Sequence, residues 1–181
     1  ATSGPCIALR FVGGWDYPQA LSSSEDSVAT GYAQGVPMGG QLSVIDDADA
    51  APHFAVAALK DPGSPQNQAT PLQRLQIIKG WVDDAGRSHE VVVDVAGDAN
   101  NGASIDAASC RTQGAGFDQL CSVWRDEDFD PQQRAYYYAR AVENPSCRWS
   151  AQICLANKVD CKRPGTIGEG LEGCCSDLHR P

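Results

Sequence analysis

The sequence predicts a mainly β, antiparallel domain with long loops and a disulfide-rich C-terminal region. Three observations carry that prediction. Short apolar and β-branched runs are separated by Gly, Pro and Asp turn signals. Two of the runs are joined by hairpin chemistry at Asp83-Asp84-Ala85-Gly86. Seven of the eight cysteines lie from Cys110 onward.

Taken in order, Ile7-Ala8-Leu9-Arg10-Phe11-Val12 has strand character and stops at Gly13-Gly14. Residues 18–50 show little periodicity and read as a long structured loop, of the kind that carries function or packs on another domain. Phe54-Ala55-Val56-Ala57-Ala58-Leu59 is the next strand, closed by Asp61-Pro62-Gly63. Residues 72–82 give a further strand with Leu75, Ile77 and Ile78 as apolar set, and residues 90–95 return as its hairpin partner. Such a meander packs one face and wets the other, as in antiparallel sandwiches. Asp130-Pro131 is a helix-start signal, yet Tyr136-Tyr137-Tyr138 has β propensity. A helix over 131–143 and a strand over 135–142 therefore both stand on local signals. Residues 1–50, 51–145 and 146–181 divide the chain into N-terminal strand and glycine-containing loop, sandwich core and stapled C-terminal region, all within one globular unit.

With 181 residues, 42% hydrophobic and 20% charged, the chain can bury a core. It has no apolar run of about eighteen residues, which argues against membrane insertion through a helix. Its net charge of −9 repels phosphate backbones and anionic lipid, arguing against nucleic acid as a partner. The chain opens at Ala1-Thr2-Ser3-Gly4-Pro5 and runs straight into apolar sequence, as expected of a mature or truncated product.

The cysteines are Cys6, Cys110, Cys121, Cys147, Cys154, Cys161, Cys174 and Cys175. None forms the C-x2-C knuckle of a zinc site, so they read as a disulfide framework of an oxidising, periplasmic or extracellular compartment. Cys110 with Cys121 is the expected local pair. Adjacent Cys174 and Cys175 are expected to reach two different partners among Cys147, Cys154 and Cys161, with Cys6 supplying the last.

No catalytic set is legible. His53, His89 and His179 form no metal-ligand spacing and read as surface histidines, and no G-x-S-x-G elbow supports a Ser-His-Asp triad. Asp98, Asn100 and Asp106 space oxygen ligands like a calcium loop. Gly102, however, takes the third ligand's place and no bidentate Glu follows, so a plain polar turn is preferred. The acid run 126–130 reads as a solvated or helix-capping charge cluster. Residues 31–40 are glycine-rich without being a phosphate loop, and fit close backbone approach to another domain or to a substrate mouth. Trp15, Trp81, Trp124 and Trp149 read as core or interface anchors.

Ordered motifs then carry a resemblance. They are residues 13–17 (Gly-Gly-Trp-Asp-Tyr), 35–40 (Gly-Val-Pro-Met-Gly-Gly), 58–62 (Ala-Leu-Lys-Asp-Pro), 75–81 (Leu-Gln-Ile-Ile-Lys-Gly-Trp) and 93–96 (Val-Asp-Val-Ala). Residues 124–131 (Trp-Arg-Asp-Glu-Asp-Phe-Asp-Pro), 137–140 (Tyr-Tyr-Ala-Arg) and 143–150 (Glu-Asn-Pro-Ser-Cys-Arg-Trp-Ser) follow. From about residue 4 to 175 the chain resembles the C-terminal third of a bacterial family called domain of unknown function 3604. The resemblance implies longer, exported relatives whose N-terminal part is a PHP-like hydrolase binding divalent metals through His and Asp motifs. None of those motifs is in this chain, so no catalytic residue and no cofactor carries over.

The resemblance also implies an immunoglobulin-like β-sandwich packed on the catalytic barrel, with Tyr137-Tyr138-Ala139-Arg140 in an inner strand. It further implies a final Trp-containing strand that Leu178-His179-Arg180-Pro181 does not supply, as in a truncated or diverged ending. The function implied is non-catalytic: supporting the barrel or shaping its mouth, with Trp15, Tyr17, Tyr32, Pro37 and Met38 as contact residues. The alternative is an extracellular, calcium-stabilised binding module with no enzymatic role.

Overall fold

The computed structural model describes residues 5–24, 26–43, 45, 47, 50–65, 68–106 and 109–175. Two antiparallel sheets pack face to face in an immunoglobulin-like sandwich. One contains β1 (Ala8–Gly14), β2 (Gly35–Pro37), β3 (His53–Leu59) and β8 (Gln119–Arg125) in the order β2-β1-β3-β8. The other contains β4 (Leu72–Val82), β5 (Ser88–Gly97) and β9 (Ala135–Glu143) in the order β5-β4-β9. A ribbon of β6 (Ser104–Asp106) and β7 (Arg111–Gln113) stands apart from both.

The registers explain the core. Leu9, Ala58 and Leu120 align across three strands, as do Phe11, Val56 and Ser122, and Gly13, Phe54 and Trp124. These rows meet Leu75, Ile77 and Ala139 of the opposite sheet, and Phe54 lies 4.3 Å from the Tyr137 ring, centroid to centroid. Strand β4 is central and buried on both faces, its apolar Leu75, Ile77 and Ile78 alternating with buried polar Gln73, Gln76 and Lys79. On its outer face Gln76 donates to Asp94 Oδ1 (2.6 Å) and accepts from Arg140 Nε (2.8 Å), a polar row spanning three strands. Beside it the Tyr136 ring covers Gly80, where a Cβ would fall 2.2 Å from Tyr136 Cζ. A bulge between Leu75 and Gln76 ends near Gly97, whose φ of +85° sets it against the Gln73 carbonyl.

Several expectations are corrected. Residues 18–50 are not one long loop: a 3₁₀ turn at Gln19–Ser23, helix α1 (Ser27–Gln34) and β2 organise them. The glycine-rich 31–40 stretch is thus the end of a helix and a strand paired to β1. The Tyr-Tyr-Ala-Arg segment is a strand and not a helix, but it lies at the sheet's edge, since among the described residues none pairs beyond β9. After Cys147 comes helix α2 (Trp149–Ala156), not turns alone. No strand is expected at 119–125, because inward Ser122 and outward Val123 blur the alternation that marks β8.

The disulfides are Cys110–Cys147, Cys154–Cys174 and Cys161–Cys175. The vicinal cysteines do reach two different partners. The Cys110–Cys121 pair and the Cys6 tie do not form: Cys121 sits mid-strand on the outer face of β8, and both Cys6 and Cys121 are exposed free thiols.

Candidate functional site

The outer face of the four-stranded sheet is only partly covered. Its upper end carries Val12, Ala55 and Val123 beneath Tyr17 and Leu21. Tyr17 fastens this cover. It is 2% exposed, its hydroxyl donates to the Gly31 carbonyl of α1 at 2.6 Å, and burial raises its pKa. A Cβ at Gly35 would meet the Gly13 carbonyl oxygen at 2.3 Å, so β2 can sit there only with glycine.

Beyond the cover the face is open, with Ala57 and Leu59 in register with exposed Arg10 and Gln119. Val28 and Tyr32, one helical turn apart on α1, border a hollow of about 50 Å³ over Arg10, Ala55 and Ala57. Tyr32 is 53% exposed, Met38 53% and Leu59 54%, and exposed Cys121 lies in register with Ala57. Of the residues expected to make contacts, Tyr32, Pro37 and Met38 are exposed and Trp15 is half-buried, whereas Tyr17 is a buried bolt.

One end of the sandwich is braced by a buried ion pair that sequence reasoning missed. Lys79 Nζ lies 2.6 Å from Asp126 Oδ2, with both side chains almost wholly buried. Lys79 also donates to the Asp128 carbonyl at 2.8 Å and lies over the Trp81 ring. Asp126 accepts the Tyr137 hydroxyl at 2.6 Å and the Asp128 amide at 3.2 Å. Burial, reinforced by hydrogen bonding to the Asp126 anion and by its charge, pushes the Tyr137 phenol well above its ordinary range. Phe129 in the same turn meets Trp15 edge to face at 5.6 Å, while Trp15 donates to Ser43 O and His53 hydrogen-bonds the Trp15 carbonyl. The acid run at 126–130 is therefore no simple solvated face. The only sequence signal was a lysine inside the apolar Ile77-Ile78-Lys79-Gly80-Trp81 run, a charge that must find a partner once the strand is central.

The remaining expected residues sit elsewhere. Asp98 caps its own turn by accepting the Asn100 amide at 2.8 Å, and Asp106 accepts the Ser109 hydroxyl at 2.7 Å. Among the described residues no three His, Cys, Asp or Glu side chains gather as cation ligands. His89 stacks on Trp81 and hydrogen-bonds Asp83 at 2.9 Å; His179 lies outside the described residues. No described helix is long and apolar enough to cross a membrane, and the three disulfides fit an oxidising compartment.

No curated protein and no solved structure shows significant similarity to this chain. The motifs that meet in this structure, from Trp15 through Lys79 and Asp126 to Tyr137, fall within a family profile that matches residues 1–169, and the chain belongs to that family, the proteins of unknown function DUF3604.

Proposed function

We propose that this chain is a non-catalytic module of an exported bacterial protein. It docks onto a further domain of the same parent, a PHP-like metal-dependent hydrolase, through the open end of the β2-β1-β3-β8 face. The observation that carries this reading is the exposure of Val28, Tyr32 and Leu59 on the half-covered outer face, with Val28 and Tyr32 bordering its hollow. The resemblance supplies the occupant. Any divalent metal belongs to that other domain, and the part played here is to brace it or shape its mouth.

The test has two arms. An upstream reading frame encoding Asp/His metal motifs supports the proposal, and a signal peptide directly before Ala1 defeats it. Where the upstream segment exists, the two pieces should associate in native mass spectrometry. The double variant Val28→Lys, Tyr32→Lys should weaken that association at least about tenfold with an unchanged melting temperature. Association indifferent to both substitutions would remove this face from consideration.

A further inference from the structure

The outer face of the β5-β4-β9 sheet sets a flat aromatic surface beside a row of polar side chains. Register fixes which residues share it. Tyr136, Gly80 and Glu90 form one row, Tyr138, Ile78 and Val92 the next, and Arg140, Gln76 and Asp94 the third. Strands lie about 4.8 Å apart and same-face residues about 6.8 Å apart along each, so the three rows cover about 10 Å by about 14 Å.

The rings lie down on this face. A Cβ on Gly80 would fall 2.2 Å from Cζ, 2.3 Å from the hydroxyl oxygen and 2.6 Å from Cε1 of Tyr136, so glycine lets that ring rest on β4. Ile78 is fully buried although it points outward, and its row neighbours there are Tyr138 and Val92. The two tyrosine rings are 6.3 Å apart, centroid to centroid, and within 11° of parallel. Tyr136 is nonetheless 58% exposed. One side of its ring packs on the sheet and the other is open to solvent.

Next to the rings, Gln76 uses both ends of its amide within the polar row, donating to Asp94 Oδ1 and accepting from Arg140 Nε. These bonds hold Asp94 and Arg140 in place while leaving Asp94 Oδ2 and the two Arg140 Nη groups without a partner among the described residues. Glu90 has none either, and all three side chains are exposed. The charges on the face balance. Asp94 and Glu90 stand against Arg140 and Arg74, whose Nε lies 3.3 Å from Asp94 Oδ1. Such a face favours an uncharged ligand that offers donors and acceptors together.

We propose that this face binds an uncharged, flat oligosaccharide, with the C–H faces of its sugar rings on Tyr136 and Tyr138 and its ring-edge hydroxyls on Asp94 and Arg140. A pyranose with equatorial hydroxyls keeps its C–H bonds on its two faces and its polar groups around its edge, the same division that the site shows. A hydroxyl both donates and accepts, so two neighbouring hydroxyls answer the carboxylate and the guanidinium together. A polyproline segment would also lie on the rings, but its carbonyls only accept and leave Asp94 and Glu90 without donors.

The site is independent of the docking face on the other sheet, and isothermal titration of the intact, oxidised chain tests it with three probes: cellohexaose, maltohexaose and decaproline. Saturable binding of cellohexaose is expected. Maltohexaose, which coils and offers no flat face, and decaproline should each bind at least about tenfold more weakly. Tyr136→Ala and Asp94→Asn should each weaken cellohexaose about tenfold, while Tyr136→Phe, which keeps the ring, should stay within about twofold. Both side chains are exposed, so the melting temperature should be retained. Equal binding of maltohexaose would overturn the selection for flat rings, and equal or tighter binding of decaproline would make this a peptide surface. No binding of cellohexaose, or binding untouched by both Tyr136→Ala and Asp94→Asn, would overturn the site itself.

Discussion

Lys79 and Asp126 show how a charge is tolerated in the interior of this domain. Isolated, either ion would be expelled from a site this buried. Together, Lys79 has two oxygen acceptors, Asp126 and the Asp128 carbonyl, and Asp126 has three donors, Lys79, the Tyr137 hydroxyl and the Asp128 amide. Removing one partner is the costly change. Asp126→Ala should lower unfolding stability by about 3–5 kcal/mol in denaturant titration, because it strands the Lys79 ammonium and the Tyr137 hydroxyl. Replacing both ions by apolar residues, as in Lys79→Met with Asp126→Leu, should cost much less than the sum of the single changes. Additive costs would show that the pair is not coupled.

A second residue-scale prediction concerns pH. Asp83 is held at about 2, against an ordinary 3.8, by the His89 hydrogen bond first and the Arg87 amide next. A depressed carboxyl favours the folded hairpin above its unfolded pKa, and that contribution disappears as pH falls through about 2. NMR titration of the Asp83 carboxyl should show a midpoint near 2, moving toward 3.8 in His89→Ala. An unchanged midpoint in that variant would show that the histidine is not the main cause.

Among the elements, the β4–β5 hairpin is the one most legible in sequence, since its period, its apolar set and its Asp-Ala-Gly turn all agree. Strand β9 is the contrary case. Its local signals split between helix and strand, and the pairing of Tyr137 with Lys79 and Ala139 with Ile77 decides for strand, because β4 needs a second neighbour. Helix α2 escapes sequence reasoning because its pattern is interrupted by Cys154, whose bond to Cys174 helps hold it in place. The Cys110–Cys147 bridge, 37 residues apart, ties the β6–β7 ribbon to the end of β9. Cys110→Ser with Cys147→Ser should lower stability by about 3–4 kcal/mol in the chain-entropy description, read from a denaturant midpoint. A loss well under 1 kcal/mol would mean that the unfolded chain is already constrained there.

At the scale of the whole molecule, the two ends of the sandwich differ. The Lys79 end is closed by aromatic and ionic packing, and the disulfide end leaves Trp149 exposed. The outer faces differ as well: the tyrosines of β9 cover Gly80 on one, while α1 leaves Leu59 and Ala57 open on the other. This second face has an opening bordered by helix α1, which is why the docking proposal belongs there.

The sequence alone determined the β class, the central hairpin, the oxidising chemistry of the cysteines and the family, because each rests on local period, turn residues or ordered motifs. Tertiary structure alone decided which cysteines pair, that Lys79 meets Asp126 across 47 residues, that Tyr17 is a bolt while Tyr32 is exposed, and that two tyrosines of β9 share a face with Asp94 of β5. The physical reason is common to all four. Each depends on which distant strands are brought within a few ångströms, and sheet order and register, not local propensity, set that distance.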